Sequence, residues 1–256
     1  MYQQLGYYLK QSDRVMSEFN LRSLRRYRRN REDHYLVAID QSFSNYAMVL
    51  FKNGEPISRY VAHTGGNDTK KNKAKDEVLT NSRFFGTVLE QLDYLYGEVL
   101  AKIAEWNPSD IVFEGLSFGS SGNMERQLGA LYFGIMVSLK RELGYEYDQL
   151  HTVTPKQCKS LAREFLLGDD RYERNKKTGE IVYLATKKPQ LNKMTGKKFV
   201  MKALENTPYN WIVDGYTRDG LTKSRKVETG IEDLPDAFFI GLFIMEQKFN
   251  HKLQRT

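Results

Sequence analysis

The feature that most restricts how this chain folds is the run Tyr35–Asp40, YLVAID. Apolar residues follow one another without alternation, and a single carboxylate closes the run. A strand with one wet face alternates, whereas an unbroken apolar strand is covered on both faces. Such a strand belongs inside a sheet that carries helices on either side, which is an α/β arrangement. The same run leaves Asp40 at the edge of a core, where a lone ionised carboxylate is costly unless a cation or a proton offsets it.

The neighbouring segments extend this pattern. Tyr46–Lys52 predicts a second strand, Asn53-Gly54 a tight hairpin turn, and Pro56–His63 a third strand, together an antiparallel meander. Thr64–Thr80 is polar and Lys-rich and predicts a loop. Apolar residues at helical spacing predict a long helix over Asn81–Trp106, stopped by Asn107-Pro108. A strand at Asp110–Leu116, a helix at Asn123–Leu143, a strand at Tyr147–Val153 and a helix opened by Pro155 follow in alternation. Gly168–Lys197 is rich in Lys, Arg, Asp and Gly and interrupts the order, with a small hairpin expected around Glu180–Ala185. Lys198–Leu204 predicts a short helix, Gly215–Gly230 a polar loop and Asp233–Asn250 the final helix. A meander followed by alternating strands and helices gives a five-stranded mixed sheet flanked by helices, the strand order of the ribonuclease H-like fold. The expected organisation is a basic N-terminal arm over residues 1–34, then one domain over 35–256 with a basic insert at about 168–197.

Charge and cysteine usage narrow the chemistry. Lys and Arg number 39 against 32 Asp and Glu, a net +7, so the surface favours polyanions. The single cysteine excludes a disulfide framework and a four-thiolate metal site. No apolar run approaches a membrane span. The arm concentrates Arg22, Arg25, Arg26, Arg28, Arg29 and Arg31, which suit a short basic helix against DNA or a solvated tail. Its acidic residues Asp13, Glu18, Glu32 and Asp33 argue against an organelle presequence.

Four acids stand where a core is expected. Asp40 ends the first strand, Glu114 sits late in the fourth, and Asp233 and Asp236 open the last helix at i, i+3 spacing, on one face. Singly, each has an ordinary structural explanation: a turn former at a strand end, an N-cap, a first-turn acid matched to the helix dipole. Together, at the ends of adjacent elements, they make a hard-oxygen set suited to Mg²⁺ or Mn²⁺. His34, His63, His151 and His251 are far apart in sequence and lack ligand spacing, and Cys158 reads as core.

Five segments then resemble the RuvC family of Holliday junction resolvases: Ala38-Ile39-Asp40, Val112-Phe113-Glu114-Gly115, Gln127-Leu128-Gly129, Val153-Thr154-Pro155-Lys156-Gln157 and Asp233-Leu234-Pro235-Asp236-Ala237. The resemblance spans about residues 35–250. It implies a metal-dependent endonuclease that resolves four-way junctions by paired phosphodiester cuts, with Asp40, Glu114, Asp233 and Asp236 as catalytic acids and ligands of two Mg²⁺ or Mn²⁺ ions. It further implies a homodimer acting on branched DNA, with the helix Asn123–Leu143 as the interface. A basic segment before the last helix would fall near Lys197, Lys198 and Lys202. The implied location is the cytoplasm, that of the host for a divergent branch of the kind found in phages. The family usually follows its first Asp with Pro-Gly, whereas this chain has Gln41-Ser42; the Arg-rich arm and the insert are also additional.

The DNA path expected from these readings includes Lys156, Lys197, Lys198 and Lys202, with Arg25, Arg26, Arg28 and Arg29 from the arm. Phe118, in the loop Ser117–Gly122, suits stacking on an exposed base and equally suits covering the local core. Two other functions share these features: a related nuclease that cuts flaps or other branched DNA, and a branched-DNA-binding protein that cuts nothing. Four mutually repelling acids argue against the second.

Overall fold

The computed structural model describes residues 28, 31–67, 83–116, 123–174, 177–183, 196–213 and 233–251. Its main sheet comprises β1 (Tyr35–Asp40), β2 (Asn45–Lys52), β3 (Glu55–Asn67), β4 (Arg83–Phe85), β5 (Asp110–Glu114) and β6 (Leu150–Val153). They lie in the order β4-β3-β2-β1-β5-β6. The β1–β2 and β2–β3 pairs are antiparallel, and β5 and β6 run parallel to β1. This is the mixed sheet of the ribonuclease H-like fold, with β1 inside it as its unbroken apolar run requires.

One strand was not expected. β4 pairs parallel to the end of β3 and makes the sheet six-stranded. It occupies residues assigned from sequence to a helix beginning at Asn81. That helix, α1 (Val88–Trp106), begins later because Thr87 is its N-cap: the Thr87 hydroxyl accepts from the Glu90 N–H while the Glu90 carboxylate accepts from the Thr87 N–H. This reciprocal capping box fixes the start of a helix more firmly than periodicity does. The β2–β3 turn is as expected, with Asn53 and Gly54 both at positive φ (51° and 92°), the geometry of a two-residue hairpin.

Alternation along the strands divides the core into two layers. Val37, Ile39, Ile111 and Phe113 face α1 and α2 (Asn123–Leu143), joining Leu95, Val99, Leu131 and Ile135. Leu36, Ala38 and Val112 face the opposite side, where α3 (Pro155–Glu164), α4 (Gly196–Glu205) and α5 (Asp233–Lys248) pack. α5 is buried along most of its length and comes very close to the sheet at Gly241, where a Cβ would lie 2.3 Å from Phe51 and 2.9 Å from Ala38. Gly134 of α2 serves a similar purpose: a Cβ there would lie 1.2 Å from the Tyr96 hydroxyl, which donates to the Ala130 carbonyl. Gly134 and Ala130 therefore pack α2 against α1 within the chain.

Inside the insert, β7 (Tyr172–Arg174) and β8 (Ile181–Tyr183) form an antiparallel pair, the expected hairpin. No helix among the described residues is long and apolar enough to cross a membrane.

Candidate active site

Side chains two apart on a strand share a face. Leu36 and Ala38 face the α5 layer, so Asp40 follows them there; Val112 faces that layer too, so Glu114 does the same. β1 and β5 are neighbours in parallel register up to the pair Ile39 and Phe113, which sets Asp40 and Glu114 side by side just past the last pair. α5 crosses this face antiparallel to β1. Its first turn carries Asp233 and Asp236, and Phe249, just past its end, packs on His34, the residue before β1. The two carboxylates of α5 therefore lie at the Asp40 end of the sheet.

Cys158 of α3 marks where these elements meet. Burial pushes its thiol well above the ordinary range, and Asp236, Glu114 and Asp40 raise it further, against an opposing effect of Lys159. Three carboxylates from β1, β5 and α5 thus act on one buried atom. Asp40, Asp233 and Asp236 are 8%, 3% and 4% exposed, and Glu114 is half-buried. Cys158, read from sequence as core, is core.

The loop after Asp40 is fixed by its own hydrogen bonds. The Ser42 hydroxyl donates to the Asn45 carbonyl and accepts from the Asn45 N–H, both at 2.9 Å. The Phe43 carbonyl accepts from Thr64 Oγ1 and from buried Gln91 Nε2, the latter at 2.9 Å. Gln41 folds across to Glu114, its Nε2 donating to the Glu114 carbonyl. On the far side, the Gly115 N–H donates to the Val153 carbonyl at 2.7 Å and carries the β5–β6 pairing past Glu114. α3 starts at once from the capping box of Thr154 and Gln157, with Pro155 in its first turn. Lys156 is thereby exposed at the same end of the sheet as the acids.

The other expected contacts are distributed differently. Lys202 pairs with Glu205 at 3.0 Å and with Asp170 at 3.9 Å, and the Glu205 hydrogen bond raises its pKa. Lys197 and Lys198 lie in the first turn of α4. Phe118, Arg25, Arg26 and Arg29 lie outside the described residues. Arg28 requires a correction. It is only 3% exposed, stacks 3.9 Å from the Tyr145 ring centre, and donates to Asn107 Oδ1 and the Leu143 carbonyl. Its guanidinium fills a polar gap at the ends of α1 and α2, so it offers no surface to a phosphate. Arg31 is likewise engaged, donating to Ser109 Oγ and the Asn107 carbonyl.

The donor set of Asp40, Glu114, Asp233 and Asp236 consists of hard carboxylate oxygens and fits a divalent cation of the Mg²⁺ or Mn²⁺ class. Among the described residues, no three or more His, Cys, Asp or Glu side chains are gathered closely enough to form a metal site.

The opposite end of the sheet holds a cluster that the sequence spacing did not reveal. Asp110 opens β5; its Oδ2 lies 2.9 Å from His34 Nε2 and its Oδ1 lies 2.7 Å from His151 Nε2. Burial alone would raise Asp110, but the hydrogen bonds with His151 and His34 overcome this and lower it below its ordinary value. Phe249 packs on both imidazoles, His251 stacks on His34, and Lys248 Nζ lies 3.1 Å from His151 Nδ1. Three of the four histidines are therefore neighbours, brought together where the start of β1, β6 and the end of α5 meet, a relation that spacing along one chain does not display.

No family model and no curated protein matches the sequence. Among solved structures, the chain is similar to Thermus thermophilus RuvC. For the structure of that protein in complex with a Holliday junction substrate, the TM-score is 0.44 at 12% identity, covering 84% of this chain and 96% of the other. For a second structure of the same protein it is 0.45 at 11% identity, covering 85% and 97%.

Proposed function

We propose that this chain is a divalent-cation-dependent endonuclease that acts on branched DNA, with the four-way junction as its main substrate. The observation that carries the reading is the side-by-side placement of Asp40 and Glu114 just past the β1–β5 register, with buried Asp233 and Asp236 in the first turn of the helix that packs on that face. Burying like charges together is unfavourable, so a fold that gathers them has a use for a cation there. The family resemblance of the five sequence segments supplies the reaction class.

Asp40, Glu114, Asp233 and Asp236 would hold the cations. Bound there, divalent ions supply an activated water and neutralise charge on the leaving oxygen of a phosphodiester. The protein's own part is positional. The Ser42–Asn45 and Phe43–Gln91 hydrogen bonds hold Asp40 at a fixed depth, and the close approach at Gly241 sets the height of Asp233 and Asp236 above the sheet. Lys156, exposed at the acid end of the sheet, is proposed to meet a phosphate, and Lys197 and Lys198 to extend that path. Arg25, Arg26 and Arg29 remain proposed backbone contacts from the arm, and Phe118 a proposed stacking residue.

A homodimer suits a substrate with two opposed strands to cut. α2 supports it: Phe133 and Val137, four apart on the helix, are 59% and 41% exposed. Light scattering is expected to give twice the chain mass.

The test is a panel of labelled four-way junction, flap and duplex, with Mg²⁺ and with excess chelator. Paired cuts in the junction that require Mg²⁺ are expected. Preferential cutting of flaps moves the substrate within branched DNA. Cutting that persists in chelator, or tight junction binding with no cutting under any divalent ion, overturns the reading.

A further inference from the structure

We propose that Gln41 is a positioning residue of this site, holding Asp40 and Glu114 at a fixed spacing; the inference rests on reading those acids as a cation site. Gln41 is 6% exposed. Its Nε2 donates to the backbone carbonyl of Glu114. A carbonyl only accepts, so this contact fixes which way round the amide lies: NH₂ toward Glu114, Oε1 away from it. Oε1 is buried there and accepts no hydrogen bond among the described residues.

An unmet buried acceptor lowers stability. Methionine has similar volume and would remove the unmet Oε1 while withdrawing the donor from the Glu114 carbonyl; the two effects roughly offset, so stability alone does not select the amide. Its location does. The β1–β5 register ends at Ile39 and Phe113, and the two acids lie one residue beyond it. At that point the Glu114 carbonyl faces β1, and the Gln41 side chain supplies the donor that closes the gap. Gln41 is covalently next to Asp40 and hydrogen-bonded to Glu114, so it links the two carboxylates by the shortest route the fold offers. The loop carrying it is itself locked by Ser42, Asn45, Phe43 and Gln91, which makes the link stiff. A local rule broken directly between two acids at the ends of neighbouring strands points to a functional position.

The experiment measures Mn²⁺ binding to the full chain by calorimetry or electron paramagnetic resonance, alongside urea unfolding without metal. Gln41→Met is expected to unfold near the wild-type midpoint and to bind Mn²⁺ at least tenfold more weakly, the scale seen when residues supporting metal ligands are removed. Gln41→Glu keeps the shape but cannot donate to Glu114, so it is expected to lose at least tenfold despite its added charge; it decides the matter if the Met variant does not fold. Wild-type Mn²⁺ affinity in either folded variant overturns the proposal, as does a fall in stability alone. Asp40→Asn separates the two levels: if it retains wild-type Mn²⁺ affinity, the cation-site reading itself fails, whatever Gln41 does.

Discussion

Where β1 and β5 begin, one mostly buried carboxylate, Asp110, meets two imidazoles; where they end, Asp40 and Glu114 lie side by side past the last strand pair. Both ends gather charged groups on the same two strands, and α5 reaches both. At the Asp110 end each carboxylate oxygen has an imidazole within hydrogen-bond distance, so the cluster is an internal brace joining β1, β5 and β6. At the Asp40 end carboxylates are brought toward carboxylates, an arrangement that favours an incoming cation. The comparison teaches that a buried acid is informative through what surrounds it: a complementary partner marks a strut, and more acids mark a site.

The largest effect expected from this contrast is on catalysis. Asp40→Asn or Glu114→Gln removes charge with little change of volume, so cutting of a four-way junction is expected to fall by about 10³-fold or more, equivalent to about 4 kcal/mol of barrier. Junction binding and the unfolding midpoint are expected to stay near wild type. Asp110→Asn is expected to leave cutting per folded molecule within about twofold. Near-normal cutting by Asp40→Asn, with a large loss in Asp110→Asn, would reverse the roles of the two ends.

Next in size is stability. Replacing a mostly buried carboxylate that meets two imidazoles removes a charged acceptor from two hydrogen bonds, so Asp110→Asn is expected to lower stability by about 1–3 kcal/mol. The sign with pH follows from the lowered pKa of Asp110. Its folded value lies below the ordinary 3.8, so its contribution is fully present above 3.8 and is lost as pH falls through the lower folded value. Urea midpoints are therefore expected to drop on acidification below pH 3.8 more steeply in wild type than in Asp110→Asn. Parallel acid curves for the two proteins would show that Asp110 is not the brace.

Much of this was readable from the chain, for identifiable reasons. The unbroken run at β1 required a central strand, Asn53-Gly54 required the hairpin, and Pro155 marked the start of α3. Strand alternation then put Asp40 and Glu114 on one face, and both can be counted from the sequence alone. β4 was not readable, because three residues carry too little periodicity to outweigh a helix pattern running into them; Thr87 and Glu90 were the signal that could have separated the two. The Asp110 cluster was not readable because His34 directly precedes β1 while Asp110 and His151 lie on β5 and β6, and the adjacency of those strands comes from sheet order. Arg28 was misread because a run of arginines looks uniform in sequence, while the fold buries one of them against Tyr145.

The smallest expected effect concerns two basic residues that sequence treated alike and the structure separates. Arg28 is held inside by Tyr145, Asn107 and the Leu143 carbonyl, at the Asp110 end of the sheet; Lys156 is exposed at the acid end. A lysine that meets a DNA phosphate releases counterions, so removing it lowers the slope of log affinity against log salt by about 0.9 per contact. Lys156→Ala is expected to show that change, with an unfolding midpoint close to wild type. Arg28→Ala is expected to do the opposite. Its two hydrogen bonds leave the Leu143 carbonyl and Asn107 short of a donor, so stability falls by about 1–3 kcal/mol while the salt slope stays the same. Titrating a four-way junction over a range of salt, with each variant checked for folding, reads both quantities. An unchanged slope for Lys156→Ala takes that lysine out of the DNA path. A flattened slope for folded Arg28→Ala would mean that the buried guanidinium leaves its pocket to bind DNA, and the division between a braced end and a working end would then fail at that residue.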